Sequence, residues 1–78
     1  MGEIKIEEEL DLRGVVCPYN FVKTKLKLEE MDPGQILSVL IDDGEPLRNV
    51  PRSVKEEGHK IVKVEQVDSS YRVLIERA

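Results

Sequence analysis

Six consecutive residues, Ile36-Leu37-Ser38-Val39-Leu40-Ile41, limit the possible folds of this chain more than any others. The run is nearly all apolar and rich in branched side chains, and Asp42-Asp43-Gly44 ends it. It reads as a central strand covered on both faces. A chain of 78 residues has room for one compact domain around such a strand, spanning 1–78, and not for two. The remaining segments must be the elements that pair with this strand and cover it.

Upstream, Ile4, Ile6, Leu10 and Leu12 alternate with Lys5, Glu7, Glu9, Asp11 and Arg13, a period of two that predicts a first strand with one buried face. Glu8 interrupts the series and is expected at a sheet margin. A helix is predicted from about Pro18 to Met31. Phe21, Leu28 and Met31 recur at helical spacing, with Thr24 or Lys25 in the missing turn, and Val22 and Leu26 form a second apolar row. Asp32-Pro33-Gly34 stops the helix, because proline cannot continue it and glycine tolerates the turn.

Pro46 to Gly58 reads as a second helix with Leu47, Val50 and Val54 inward and Gly58 as its C-terminal cap. Pro51 lies inside that span. Either the helix kinks there, or a turn precedes a helix that begins at Pro51; the second is the preferred reading. Val62 and Val64 alternate with Lys63 and Glu65, and Tyr71, Val73 and Ile75 alternate with Arg72 and Glu76. With Asp68-Ser69-Ser70 as the turn, these segments form a closing hairpin. The order β-α-β-α-β-β predicts an α/β (α+β) two-layer sandwich, two helices on one face of a four-stranded mixed sheet.

Charge and cysteine usage narrow the function. The net charge of −4 disfavours direct nucleic-acid binding, which usually needs a basic excess. The acidic, alternating start is unlike a secretory leader, and no apolar stretch is long enough to span a bilayer, so a cytoplasmic location is expected. One cysteine forms no internal disulfide, and Cys17 with His59 falls short of a four-ligand zinc site, so no metal is expected.

The chemistry concentrates in Leu10-Asp11-Leu12-Arg13-Gly14-Val15-Val16-Cys17-Pro18-Tyr19-Asn20. A strand ends, Gly14 lets the chain turn, and Pro18 suits a first helical position, which puts Cys17 at the N-cap. A sulfur there faces free backbone N–H groups, expected to be those of Tyr19 and Asn20, and the positive end of the helix dipole. A free cysteine has a pKa of about 8.5. The dipole contributes roughly 0.3–1 kcal/mol toward thiolate, and one charge-assisted hydrogen bond about 1.5–3 kcal/mol, together enough to approach neutrality. Arg13 and Lys23 push the same way if they lie near the sulfur. The same donors stabilise a persulfide anion. With no second cysteine to resolve it, the outer sulfur must leave to another molecule. The opposing reading makes Cys17 a small buried apolar residue, the usual fate of a free cysteine.

This segment resembles the TusA/SirA-like sulfur-transfer family, whose signature is Asp-x-x-Gly-x-x-Cys-Pro with a second proline two residues later. Asp11, Gly14, Cys17 and Pro18 match, and the likeness continues through Asp32-Pro33-Gly34, Asp42-Asp43, Val50-Pro51 and Lys55-Glu56-Glu57-Gly58-His59 into the closing hairpin. The resemblance implies a two-layer sandwich and a sulfurtransferase-type persulfide carrier with Cys17 as the sulfur-bearing residue. It implies a cysteine desulfurase or rhodanese as donor and a downstream acceptor protein in tRNA thiolation, molybdenum-cofactor pathways or other sulfur metabolism. No cofactor, membrane or oligomer above a monomer is required. Asn20 replaces the second proline. It restores a backbone N–H and adds a side-chain amide, which either donates to sulfur or solvates the helix end.

Other residues carry weaker signals. His59 is either a proton shuttle or, as expected, a structural or solvated side chain. Arg48, Arg52 and Lys55 form one stripe if the second helix is continuous, and Lys23 and Lys27 share a face of the first; such rows are solvated surface or a basic rim for an acidic partner. Asp42 and Asp43 read as turn chemistry rather than a metal or acid–base pair. Tyr19, Val22 and Leu26 either form an exposed apolar patch or complete the core. A non-catalytic interaction module of the same fold is the alternative function, and a thiol redox sensor the weaker third.

Overall fold

A computed structural model describes residues 5–16 and 19–78. Its elements follow the expected order: β1 (Glu8–Asp11), α1 (Tyr19–Glu30), β2 (Ile36–Asp42), α2 (Glu45–Glu56), β3 (Lys60–Val67) and β4 (Ser70–Glu76). The sheet order is β1-β2-β4-β3. β1 pairs parallel to β2, and β4 runs antiparallel to both of its neighbours. Both helices pack over one face, which is the two-layer arrangement expected from the element order and from the right-handed rule for such crossovers.

β2 lies inside the sheet, but helices cover only one of its faces. Leu37, Val39 and Ile41 are fully buried on that side with Val73 and Ile75 of β4, Val50 and Val54 of α2, and Leu28 of α1. On the opposite face Ile36 and Leu40 are only half-buried, which corrects the expectation of cover on both sides.

β1 is shorter than its alternating pattern. Pairing begins with Glu7 N–H donating to the Ile36 carbonyl at 2.9 Å and ends with Leu12 N–H donating to the Leu40 carbonyl at 2.8 Å. β1 is an edge strand with β2 as its sole neighbour, so residues upstream of the start of β2 have no ladder to join. Ile6 precedes the strand, and Ile4 lies outside the described residues.

α2 is continuous from Glu45 through Pro51, so the preferred start at Pro51 is corrected. Proline removes one N–H bond from the ladder, but the stripe Leu47, Val50 and Val54 spans it and packs into the core on both sides. The helix closes as expected at Gly58 (φ +96°): Gly58 N–H donates to the Lys55 carbonyl and His59 N–H to the Val54 carbonyl.

The hairpin has a two-residue turn, Asp68-Ser69, with Ser70 already in β4. A bulge between Ile61 and Lys63 also resets the alternation of β3. Ile61, opposite Ile75, is brought into phase with Val64, opposite Val73, in place of the expected Val62.

Candidate functional site

The segment singled out in the sequence lies where β1 and β2 end and α1 begins. Parallel strands point their C-terminal ends toward the N-termini of the following helices, the usual place for a site in such topologies. Cys17 and Pro18 lie outside the described residues, and the site is built from what surrounds them.

The turn after β1 is held from two directions. Asp11 and Arg13 form a two-pronged pair: Arg13 Nε donates to Asp11 Oδ1 at 2.9 Å and Nη2 to Oδ2 at 2.7 Å, while the Arg13 N–H donates to Oδ1 at 3.2 Å. These hydrogen bonds, side chain first, hold the Asp11 carboxyl down to about 2 and push the guanidinium up. Arg13 also feels Asp42 and Asp68, so it is a compensated charge and not a free cation. Gly14, at φ +80°, donates its N–H to Asp42 Oδ2 at 2.6 Å. A positive φ is what glycine supplies to this turn. Asp43 Oδ1 accepts the Gly44 N–H at 2.7 Å, which fits the turn role expected of that residue.

Beyond the turn, Asn20 N–H donates to the Val16 carbonyl at 3.2 Å. That corrects the expectation that the Asn20 amide is free for a sulfur: it is already part of the first helical turn. No described residue accepts the Tyr19 N–H. The Asn20 side chain is fully buried, so it does not solvate the helix end. Its Oδ1 accepts the Phe21 N–H at 2.7 Å, and its Nδ2 has no hydrogen-bond partner among the described residues. Among the described residues it is the one buried side-chain polar atom in that state. Thr24, not Lys25, fills the next turn of the buried stripe, donating Oγ1 to the Asn20 carbonyl at 2.9 Å. The first turn of α1 carries no acidic residue, so nothing there neutralises the positive end of the helix.

Tyr19 is 62% exposed, with Val16 at 63%, Val22 at 42% and Leu26 at 54%. The exposed-patch reading of Tyr19, Val22 and Leu26 holds, and Val16 adds to it. A cleft of about 290 Å³ beside the motif is lined by Gly14, Val15, Val16, Asp42, Glu45 and Pro46.

His59 lies at the other end of the molecule, past the C-terminus of α2, where its Nδ1 accepts the Ala78 N–H at 3.0 Å. Burial first, then the Arg77 charge, holds its pKa below the ordinary value. It is a structural residue and does not face the motif. The role of Asp42 as acceptor for Gly14 was not legible from the sequence, because nothing local joins residues 28 apart. Among the described residues no cluster of His, Cys, Asp and Glu is arranged to hold a metal, and no helix is long and apolar enough to cross a membrane.

Comparison with known proteins agrees with this arrangement. Residues 8–77 match the family described as Sulfurtransferase TusA. A candidate sulfur carrier protein from Archaeoglobus fulgidus is 50% identical over 76 residues, covering 96% of this chain and 86% of that one. One from Thermotoga maritima is 40% identical over 70 residues, covering 90% and 89%. The crystal structure of a SirA-like protein from Desulfitobacterium hafniense superposes with a TM-score of 0.77 over 88% of this chain and 95% of that chain; at 24% identity it speaks to the fold alone.

Proposed function

The chain belongs to the TusA sulfurtransferase family, and from that premise we propose that it is a sulfur carrier in which Cys17 takes up sulfane sulfur as a persulfide and passes it to a partner protein. The Cys17 thiolate attacks the outer sulfur of a donor persulfide. The donor's S–S bond breaks, its thiolate leaves with the electron pair, and a new S–S bond forms on Cys17. The proton of the terminal sulfur travels with it, so no external oxidant or reductant is needed. Transfer onward repeats the exchange with Cys17 as leaving group.

The observation that carries this reading is the unpartnered Nδ2 of Asn20, buried in the first turn of α1 three residues after Cys17. A buried donor without a partner costs about 1–3 kcal/mol, and an anionic sulfur at Cys17 is the group that would repay it. The Tyr19 amide and the unneutralised start of α1 act in the same direction. Asp11, Gly14 and Arg13 brace the preceding turn. A cysteine desulfurase or rhodanese supplies the sulfur in a cytoplasmic relay, the acceptor is a second protein, and the exchange itself calls for no metal or organic cofactor.

The test is intact mass after incubation with a cysteine desulfurase and cysteine. The expected result is a gain of one sulfur atom, absent in Cys17→Ser and reversed by reductant. No loading from any donor, with partner binding retained by Cys17→Ser, assigns the fold to a non-catalytic interaction module instead.

A further inference from the structure

Exposed apolar residues are concentrated on one strip. Of the five large hydrophobic side chains that stand exposed among the described residues, Val16, Tyr19, Val22 and Leu26 lie at the start and outer side of α1. At 3.6 residues per turn the three helical members fall within about 60° of one another. They face away from the buried stripe Asn20, Thr24 and Leu28. A strip of this kind, beginning one residue before Cys17, is a contact surface rather than core.

The charges around it are unevenly satisfied. On the α2 side Lys25 pairs with Glu57 at 3.8 Å, and on the β1 side Lys27 pairs with Glu8 at 3.4 Å and Glu30 at 3.7 Å. Lys23, Arg48, Arg52 and Lys55 make no ion pair among the described residues, although the chain carries a net charge of −4. Lys23 borders the groove between α1 and β1, which Leu26 also lines. Arg48 and Arg52 are exposed one turn apart on α2, which packs alongside α1; continuity of α2 through Pro51 keeps them on one face. Lys23 therefore flanks the strip on the β1 side, and Arg48 and Arg52 stand exposed on the neighbouring helix, Arg52 donating to Asn49 Oδ1 at 3.5 Å. Glu45 is the acidic residue at this end of α2, while Glu29, Glu30 and Glu56 lie toward the far ends of the helices.

We propose that this outer face of α1, with Lys23, Arg48 and Arg52 as its rim, is the docking surface for the sulfur-donating protein, and that the donor presents an apolar centre ringed by carboxylates. The inference rests on the carrier reading. An apolar centre with a charged rim matches the build of a transient protein interface, where rim charges set the rate of encounter. Nucleic acid fits less well, because the centre of the face is apolar and the chain is acidic overall. A second copy related by a two-fold axis would set the same cations against one another.

Two sulfur sources separate docking from chemistry: a cysteine desulfurase with cysteine, and inorganic polysulfide, which needs no docking. The variants are Val22→Asp with Leu26→Asp, and Arg48→Glu with Arg52→Glu, each checked for fold by circular dichroism. Both pairs are expected to slow loading from the desulfurase about tenfold or more, and to leave loading from polysulfide within about twofold. Added salt slows desulfurase loading of the parent protein more than that of the arginine variant. The docking proposal fails if both variants load from the desulfurase at the parent rate. It fails equally if the arginine pair governs binding of a labelled RNA while desulfurase loading is untouched. A parent protein that loads from neither source overturns the carrier reading itself, and the docking surface with it.

Discussion

The Asp42 carboxylate at the end of β2 accepts the Gly14 amide at 2.6 Å, tying the turn that leads into Cys17 to a strand 28 residues away. Gly14 has φ +80°, so the turn holds its shape through this bond and through glycine's freedom to adopt it. Asp42→Ala is expected to lower stability by about 0.5–1.5 kcal/mol in urea unfolding, with Asp42→Asn recovering most of the loss because it keeps an acceptor. An alanine variant as stable as the parent would show that the bond contributes nothing.

Asp11 titrates far from its ordinary range. Hydrogen bonds from Arg13 bring its pKa from 3.8 to about 2. The folded value lies below the unfolded one, so the associated stabilisation is present above the unfolded pKa and disappears as pH falls through about 2. Both side chains are exposed, so the effect on overall stability is small. Carboxyl-carbon NMR should place the Asp11 midpoint near 2 in the parent and return it toward 3.8 in Arg13→Gln. An unmoved midpoint would remove the pair as its cause.

His59 gives the opposite end of the molecule its own acid sensitivity. Burial, then Arg77, depresses its pKa below 6.5, and its Nδ1 is the acceptor for the Ala78 amide. As pH falls the unfolded chain takes up the proton first. The stabilisation from neutral His59 is therefore complete above the unfolded value and is lost as pH drops through the lower folded one. Melting temperatures should fall below about pH 6.5 more steeply in the parent than in His59→Gln. Parallel curves would contradict the assignment.

Leu28 is 1% exposed and joins α1 to the core. Leu28→Ala should cost about 2–5 kcal/mol, a large part of what so small a domain has. A loss well under that range would mean α1 repacks freely over the sheet.

Asn20 separates stability from chemistry. Asn20→Leu removes an unpartnered amide, relieving about 1–3 kcal/mol, and removes the acceptor for Phe21 N–H, costing about 0.5–1.5 kcal/mol. Below the Cys17 midpoint, where the amide has no anion to meet, stability should thus change little or rise. On the carrier reading proposed above, in which this amide donates to the anion, the pH midpoint for alkylation of Cys17 should move upward. Unchanged alkylation would assign Asn20 to the helix alone.

Much of this was visible in local patterns. Ile36 to Ile41 announced an interior strand, Asp32-Pro33-Gly34 and Gly58 closed the two helices as expected, and Tyr19, Val22 and Leu26 stood out as an apolar row. Pro51 misled because its local preference to start a helix was outweighed by an apolar stripe that runs through it. The bulge near Val62 could not be seen, because alternation in one strand says nothing about an extra residue opposite its partner.

Taken alone, the order of residues determined which segments are strands and helices, where they stop, and that a lone cysteine sits between a turn and a proline. Those choices depend on interactions reaching a turn or two along the chain. Folding in three dimensions decided that Asp42 would hold Gly14 and that Asn20 would be buried with its amide unpaired. The Asp42 bond needed β2 beside β1. Only the packing of α1 against the rest of the fold could bury Asn20, and neither strand adjacency nor packing is encoded by spacing in the sequence.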